Sequence, residues 1–436
     1  MQMRKIIFAC MVMMQVLLSR AMEKPIADLT MKELNQALSV EHEKANKRFC
    51  DGDKRAFINP KIDALKKRME ELDEFYFQAI KEGDTEKVAA FLAMGYSNHS
   101  FHKYHGWTPL LLAAVKGHTK IMHLLLEHTI NIDVPVLEHC VREVMGDSSR
   151  SLAFGSPLTF TAMHNCPMPV QILLDHKADV NWTTLGEGTS LHYAAQGNCT
   201  EVIPLLLKYK ANINRKDKEG RMPLHYAAIY DCPEAAQILL DHKAQVNCKD
   251  QEGNAPLIHA IKNKHISVVK VLLNHKEIDF NCSDKAHNTA LSWAVGYDEL
   301  YEIVQMLLEN KALVNCANVI GMTPLHYCAA EKNCSRIIKI LLEYGADINK
   351  IDNGGNTPLH FAAGYTSLEG CKELIQAGAS INRKNNEGKS ALEIMESCTN
   401  DDGDDSKERT EIVELITAEL VKEQDIHGKR LLNYVN

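Results

Sequence analysis

The sequence predicts an all-α fold: a solenoid of helix-turn-helix units with β-hairpin-like fingers and a short helical N-terminal extension. Three observations predict it. The phrase TPLHYCA at Thr323 has relatives at Thr108, Ser156, Thr189, Met222, Ala255, Thr289, Thr357 and Ser390, spaced 48, 33, 33, 33, 34, 34, 34 and 33 residues apart. Most copies are followed by an apolar run such as VIPLLLKY, AAQILLDH, VVKVLLNH or IIKILLEY. A turn phrase then closes each copy: ADVN, ANIN, AQVN, ALVN, ADIN or ASIN. A fixed period in this range marks stacked units, each too small to bury its own apolar face.

Along the chain, MQMRK is a positive start and IIFACMVMMQVLLS an uncharged run, with Ser19 and Ala21 at the small-residue places of a cleavage site. Residues 1–21 are therefore expected to be a signal peptide. An uncleaved anchor or the start of a buried helix are the alternatives. No later segment approaches eighteen consecutive apolar residues, so no membrane span is expected after cleavage. Residues 22–72 form a charged helical extension, with a capping-box pair at Thr30 and Glu33 and a second helix start at Asn59-Pro60. Residues 73–107 hold a degenerate helix pair, EFYFQAIKEGDTEKVAAFLAMG, whose polar surface suits an N-terminal cap. The array runs over 108–389, with an insertion near 134–150 that is either a binding element or a neutral surface loop. SALEIME, the acidic loop in TNDDGDDSKE and the amphipathic TEIVELITAELVKEQ make a C-terminal cap over 390–424, leaving 425–436 as a tail.

Within one copy, Thr or Ser before Pro offers a cap oxygen and a ring whose fixed φ suits the first helical turn. Ala-Ala keeps the first helix narrow, and the LL doublet supplies apolar bulk on the second. Glycines at 106, 220, 253, 321, 355 and 388 stand two residues before the cap, where a tight turn favours a residue without Cβ. Phe154, Glu187 and His287 break that pattern, so distorted fingers are expected there.

TPLH-x-A-A, the LL doublet, the GADIN phrase at Gly345–Asn349 and the period of 33 resemble the ankyrin repeat, over roughly residues 75 to 423. With the signal segment, the chain is similar to secreted ankyrin-repeat proteins and effectors of host-associated bacteria. The resemblance implies a protein partner held on the concave face, by variable positions after Ala-Ala and around the finger tips. Eight residues on from successive motif starts stand Tyr230, Asn263, Tyr297, Glu331 and Tyr365. Trp182 on a finger and a basic rim of Arg215, Lys218 and Arg221 complete the candidate surface. A second aromatic row, Phe160, Tyr193, Tyr226, Trp293, Tyr327 and Phe361, fills the x of TPLHxAA and is assigned to packing.

Apparent chemical sites dissolve in the same pattern. His326 and Cys328 stand two apart on one helix, so they point roughly 200° apart and do not share a metal. His326 matches His192, His225 and His360, and reads as a hydrogen-bonding group near the cap. Cys328 stands where other copies carry Ala194, Ala227 and Ala362; Cys334 matches Cys166, Cys199 and Cys232 once one extra turn residue is allowed. Cys248, Cys282 and Cys316 lie one period apart, about 8–10 Å in stacked helices against the ~7 Å that a disulfide tolerates. Free thiols are expected, suiting a reducing destination. NNEGKS near Asn385 lacks the first glycine of a phosphate loop, Arg383 standing in its place. No metal or cofactor is expected, and a net charge of -8 gives no footprint for nucleic acid. The reading is a monomeric, non-catalytic, exported protein-binding scaffold, secreted or periplasmic, with a host cell as a further destination. A periplasmic or surface scaffold of the producing cell is the alternative, and an enzyme sited in the extension or insertion the least favoured.

Overall fold

Seven copies open with a residue in extended conformation at the helix cap: Thr108, Ser156, Met222, Ala255, Thr289, Thr323 and Thr357 have ψ between 150 and 167°. The structure is a computed structural model describing residues 60–94, 96, 107–128, 131–133, 155–397 and 405–435, with scattered helical positions between 33 and 40. The signal segment, most of the extension, the insertion near 134–150, Gly106, Phe154 and residues 398–404 of the acidic run lie outside the described residues.

The chain divides into two compact units, Met1–Ser190 with Leu205–Ala211, and Leu191–Pro204 with Asn212–Asn436. The first contains the pairs α1 (Pro60–Glu82) and α2 (Thr85–Ala93), α3 (Pro109–Lys116) and α4 (Thr119–Glu127), α5 (Pro157–Met163) and α6 (Pro167–Asp175). First helices stack on first helices and second on second, around fully buried Tyr76, Leu110, Ile121, Leu125, Leu158 and Leu173. Helices α7 (Ser190–Gln196) and α8 (Val202–Lys208) straddle the division. The second unit continues with α9 (Pro223–Ile229) and α10 (Pro233–Asp241), α11 (Pro256–Lys262) and α12 (Ile266–Leu273), α13 (Ala290–Ala294) and α14 (Tyr301–Glu309). It ends with α15 (Pro324–Ala330) and α16 (Ser335–Glu343), α17 (Pro358–Gly364) and α18 (Leu368–Gln376), α19 (Ala391–Ser397) and α20 (Asp405–Val435). Helix α1 crosses the expected 72/73 division. Helix α20 takes in the end of the acidic run and carries through the expected tail.

The caps divide into two kinds. Thr108, Ser156 and Thr289 accept from the backbone N–H three residues on, at 3.2–3.3 Å, as expected of hydroxyl caps. In the PLH copies an imidazole adds a bond to a different donor, the N–H of the cap residue itself. Nδ1 of His225, His326 and His360 accepts the N–H of Met222, Thr323 and Thr357 at 3.0–3.1 Å. Met222 has no hydroxyl, so the histidine alone serves there. Because Nδ1 accepts, the neutral ring carries its proton on Nε2. Nε2 then donates into the following copy, to the carbonyls of Asn254, Asn356 and Lys389 at 3.1–3.2 Å. His192 reaches Arg221 O in the same way at 3.1 Å. Burial pushes His192 and His225 down to about 4, and also lowers His326 and His360.

The fingers carry the other ties between copies. Oδ1 of Asn214, Asn247, Asn315 and Asn349, each ending a turn phrase, and of Asn281 at the equivalent place accepts a backbone N–H of the next finger at 2.8–3.0 Å. Finger tips are joined by Gln251 N to Glu219 O, Lys285 N to Glu252 O and Asn353 N to Ile320 O. The expected glycines adopt left-handed φ, +83° at Gly321 for example. Glu187 and His287 adopt it too, at 61 and 62°, and the bridges Thr183–Thr189 and Ser283–Thr289 close those turns. Their fingers are therefore not distorted as expected: the turn imposes the conformation and the side chain bears a modest strain.

Two predictions follow from these ties. A Cβ at Gly321 would lie 2.7 Å from Asn353 N, whereas one at Gly345 meets nothing, although both residues have positive φ. Gly345→Ala should cost about 1 kcal/mol and Gly321→Ala about 3 kcal/mol in urea unfolding, the excess being the broken contact between fingers. For the histidines, the unfolded chain binds protons below its ordinary pKa of about 6.5 while the native rings at about 4 do not. Stability should therefore fall as pH drops from about 6.5 to 4, by about 3 kcal/mol for each of His192 and His225, and then level off. Replacing His225 by Gln should flatten part of that slope in melting curves taken across the window.

Candidate functional site

The surface at the C-terminal ends of the first helices is organised from the fingers upward. Asp217 places Oδ1 against the N–H groups of Glu219 and Arg221, and Oδ2 against the Tyr226 hydroxyl at 2.9 Å. One copy on, Asp250 Oδ2 meets His259 Nε2 at 2.7 Å; a further copy on, Asp284 Oδ2 takes Trp293 Nε1–H at 3.1 Å. In the next, Asn318 Nδ2 donates to Tyr327 Oη at 2.7 Å, and that hydroxyl donates to Asn288 Oδ1 at 2.9 Å. Within the aromatic row Tyr226, Trp293 and Tyr327 are thus tethered. The sequence reading missed the tether, although its signal was present: a carboxylate or amide stands nine residues before Tyr226, His259, Trp293, Tyr327 and Phe361.

The positions eight residues past each motif start do not form one uniform row. Tyr230 and Tyr365 cap α9 and α17 in near-helical conformation and lie beside the row ring of their own copy, at 6.2 Å from Tyr226 and 6.4 Å from Phe361. Even so they are 47% and 61% exposed, enough to present a ring face to a partner. Tyr297 and Glu331 are extended, with ψ of 112 and 146°. The physical reason is the longer turn after α13 and α15, which in the first case folds into a 3-10 segment at Asp298–Leu300. Tyr297 is half-buried, with the Lys264 ammonium 4.4 Å from its ring centre and paired to Glu299 at 3.1 Å. Glu331 is exposed. The opened turns leave a groove of about 460 Å³ bordered by Lys264, Tyr297, Glu331, Lys332 and Tyr365. Three of the expected partner residues are therefore brought together, and Tyr230 stands apart from them.

Ankyrin repeats in sets of three match at residues 136–217, 158–250, 224–318 and 291–385, and a single ankyrin repeat at 105–135. The chain belongs to the ankyrin-repeat proteins. The crystal structure of the human ASB11 ankyrin repeat domain is similar at 26% identity, covering 52% of this chain and 99% of that one, with a TM-score of 0.46. No curated protein matches the sequence. Ankyrin-repeat proteins are generally non-catalytic, and the repeats mark this array as a protein-interaction scaffold.

On the ankyrin fingers, Arg215 and Lys218 are exposed and Trp182 half-buried. Arg221 is not part of a basic rim. Its guanidinium is bonded to Asp217 at 2.9 Å and Glu219 at 2.8 Å and lies over the Tyr226 ring, so its charge is spent within the finger. Cys328 is buried, as its alanine-equivalent place implies; His326 has both nitrogens bonded within the ankyrin cap. Among the described residues no group of His, Cys, Asp or Glu is arranged to hold a metal, and no helix is long and apolar enough to cross a membrane. The two ankyrin rows should separate in stability. Tyr327→Phe, which leaves Asn288 and Asn318 short of a partner, should cost about 1 kcal/mol in chemical denaturation. Tyr365→Ala should cost under about 1 kcal/mol despite the larger truncation.

Proposed function

We propose that this chain is an exported, monomeric ankyrin scaffold that captures a protein partner at the ends of its first helices, through Tyr297, Glu331 and Tyr365, with Tyr230 as a flanking anchor. The observation that carries this reading is the groove at the opened turns, where ring faces and an exposed carboxylate meet in an otherwise regular array. Tyrosine gives a large contact area at low entropic cost, and hot spots gather where such rings border a depression. Arg215 and Lys218 extend the surface on a finger of the same unit, and Trp182 is a separate candidate on a finger of the first unit. The positive start and apolar run of residues 1–21 support export. The described cysteines are free thiols, and Cys199, Cys232, Cys282, Cys328, Cys334 and Cys371 are buried, which supports a reducing destination such as the interior of a host cell. An effector acting on host proteins is the reading that joins these two features; a scaffold kept in the periplasm or on the surface of the producing cell is its rival.

Two measurements test it. Cell fractionation with a thiol count should find the chain exported and its cysteines reduced; a chain retained by the producing cell with oxidised cysteines would favour the rival. The variant Tyr230→Ala/Tyr297→Ala/Tyr365→Ala should lose at least about tenfold in captured partner with an unchanged helical melting curve. Equal capture by the folded variant would remove the helix-end surface from the proposal.

A further inference from the structure

Below the larger groove, between α13 and α15, lies a second depression of about 160 Å³ lined by Trp293, Gly296, Tyr297, Tyr327 and Glu331. Its origin emerges from comparison with the copy before it. There, Lys262 at the end of α11 sends its ammonium over the Trp293 ring, 4.2 Å from the centre, and donates to Asn254 Oδ1 at 2.9 Å. Thirty-four residues on, Lys262 becomes Gly296, Trp293 becomes Tyr327 and Asn254 becomes Asn288. The aromatic ring and the amide are kept while the cation that covers them is deleted. The depression is the space that Lys262 fills one copy earlier.

The acceptor has changed as well. Asn288 Oδ1 already takes the Tyr327 hydroxyl and Asn318 Nδ2, both at 2.9 Å, so it is not open in the way Asn254 is. Glu331 supplies a carboxylate at the same rim, and no cation is paired with it among the described residues. The neighbouring lysines are engaged elsewhere, Lys264 with Glu299 at 3.1 Å and Lys332 with Glu408 at 3.5 Å. Aromatic faces with a nearby carboxylate favour an alkylammonium over a neutral chain of the same length, since each ring presents its negative face to the cation.

We propose that this depression receives a lysine side chain of the protein partner, seated over Tyr327 and beside Glu331 as Lys262 is seated over Trp293 and beside Asn254. It rests on the helix-end surface being the partner-binding one, and it assigns that partner a lysine at the point of contact. The occupant is a lysine by one internal precedent: the preceding copy builds the equivalent contact from its own Lys262.

The test uses the full chain and small probes, so it does not depend on capturing the partner. Nα-acetyl-lysine methylamide and its neutral counterpart Nα-acetyl-norleucine methylamide would be titrated while the Trp293 indole is followed by NMR, one of only three tryptophans in the chain. The lysine probe should give a saturable shift and the norleucine probe none up to the same concentration. Glu331→Gln should weaken the lysine probe at least threefold. Gly296→Lys should abolish its binding, because the new side chain fills the depression. A Cβ at Gly296 meets only Trp293 O, at 3.8 Å, so that variant should keep the parent melting temperature. The proposal is overturned by equal response to the two probes, by no saturable response, or by undiminished binding to Gly296→Lys. Glu331→Gln, at an exposed position, decides the matter if the lysine variant does not fold. Probe binding together with unchanged partner capture by the tyrosine variants would sink the helix-end reading and spare the pocket; the converse result would do the opposite.

Discussion

The stacking of this array depends on an imidazole with both nitrogens occupied. A copy of 33 or 34 residues cannot bury its own apolar face, so its stability lies in the junction with its neighbour. Apolar contact alone is non-directional and would allow one copy to slide on another. The PLH histidine removes that freedom: Nδ1 holds the cap of its own helix and Nε2–H holds a carbonyl of the next copy. Both bonds are satisfied only by the neutral ring in one tautomer, and burial enforces the neutral form by lowering its pKa. The turn-phrase Asn adds a second tie, between fingers, so a junction that carries the PLH histidine is fixed at two separated points.

With the junction fixed, the finger carboxylates govern what the surface shows. One oxygen of Asp217 or Asp250 closes its own turn, and the other reaches the row member nine residues later. Tyr226, Trp293 and Tyr327 are thereby held in place, with their polar atoms consumed. Arg221 shares this fate, since a guanidinium beside two carboxylates and over a ring has little charge left for a partner. Exposure then passes to the residues just past the helix ends. There the backbone is no longer bound by helical hydrogen bonds, and the ring faces of Tyr230 and Tyr365 remain open.

Much of this was legible in the sequence, for a physical reason. Period, cap, narrow first helix and apolar doublet are each local demands repeated many times, so one copy checks another. That is how Cys328 could be read as an alanine equivalent and His326 as a cap partner before either was seen in place. Glu187 and His287 misled because a missing glycine was taken for a missing conformation. A turn bridged on both sides holds a side-chain-bearing residue at φ near 60° at modest strain. Arg221 misled because charge in a sequence does not reveal its consumer four residues earlier. The break at Tyr297 and Glu331 was hidden for a third reason: counting at a fixed offset presumes turns of equal length, and the turns after α13 and α15 are longer.

Those failures of counting fall where the surface departs from its own rule. At one junction a ring, an amide and a cation are spent on one another, as Lys262, Trp293 and Asn254 show. Binding capacity arises where one member is withdrawn and the rest are kept. Gly296 withdraws a lysine, and the lengthened turns bring Glu331 to the rim of the space it leaves. Because the array is tied copy by copy, such a local deletion need not propagate: the His326 and Asn315 ties remain intact alongside it. A repeat scaffold can thus open a site at one junction while its other junctions supply the rigidity that holds the site in shape.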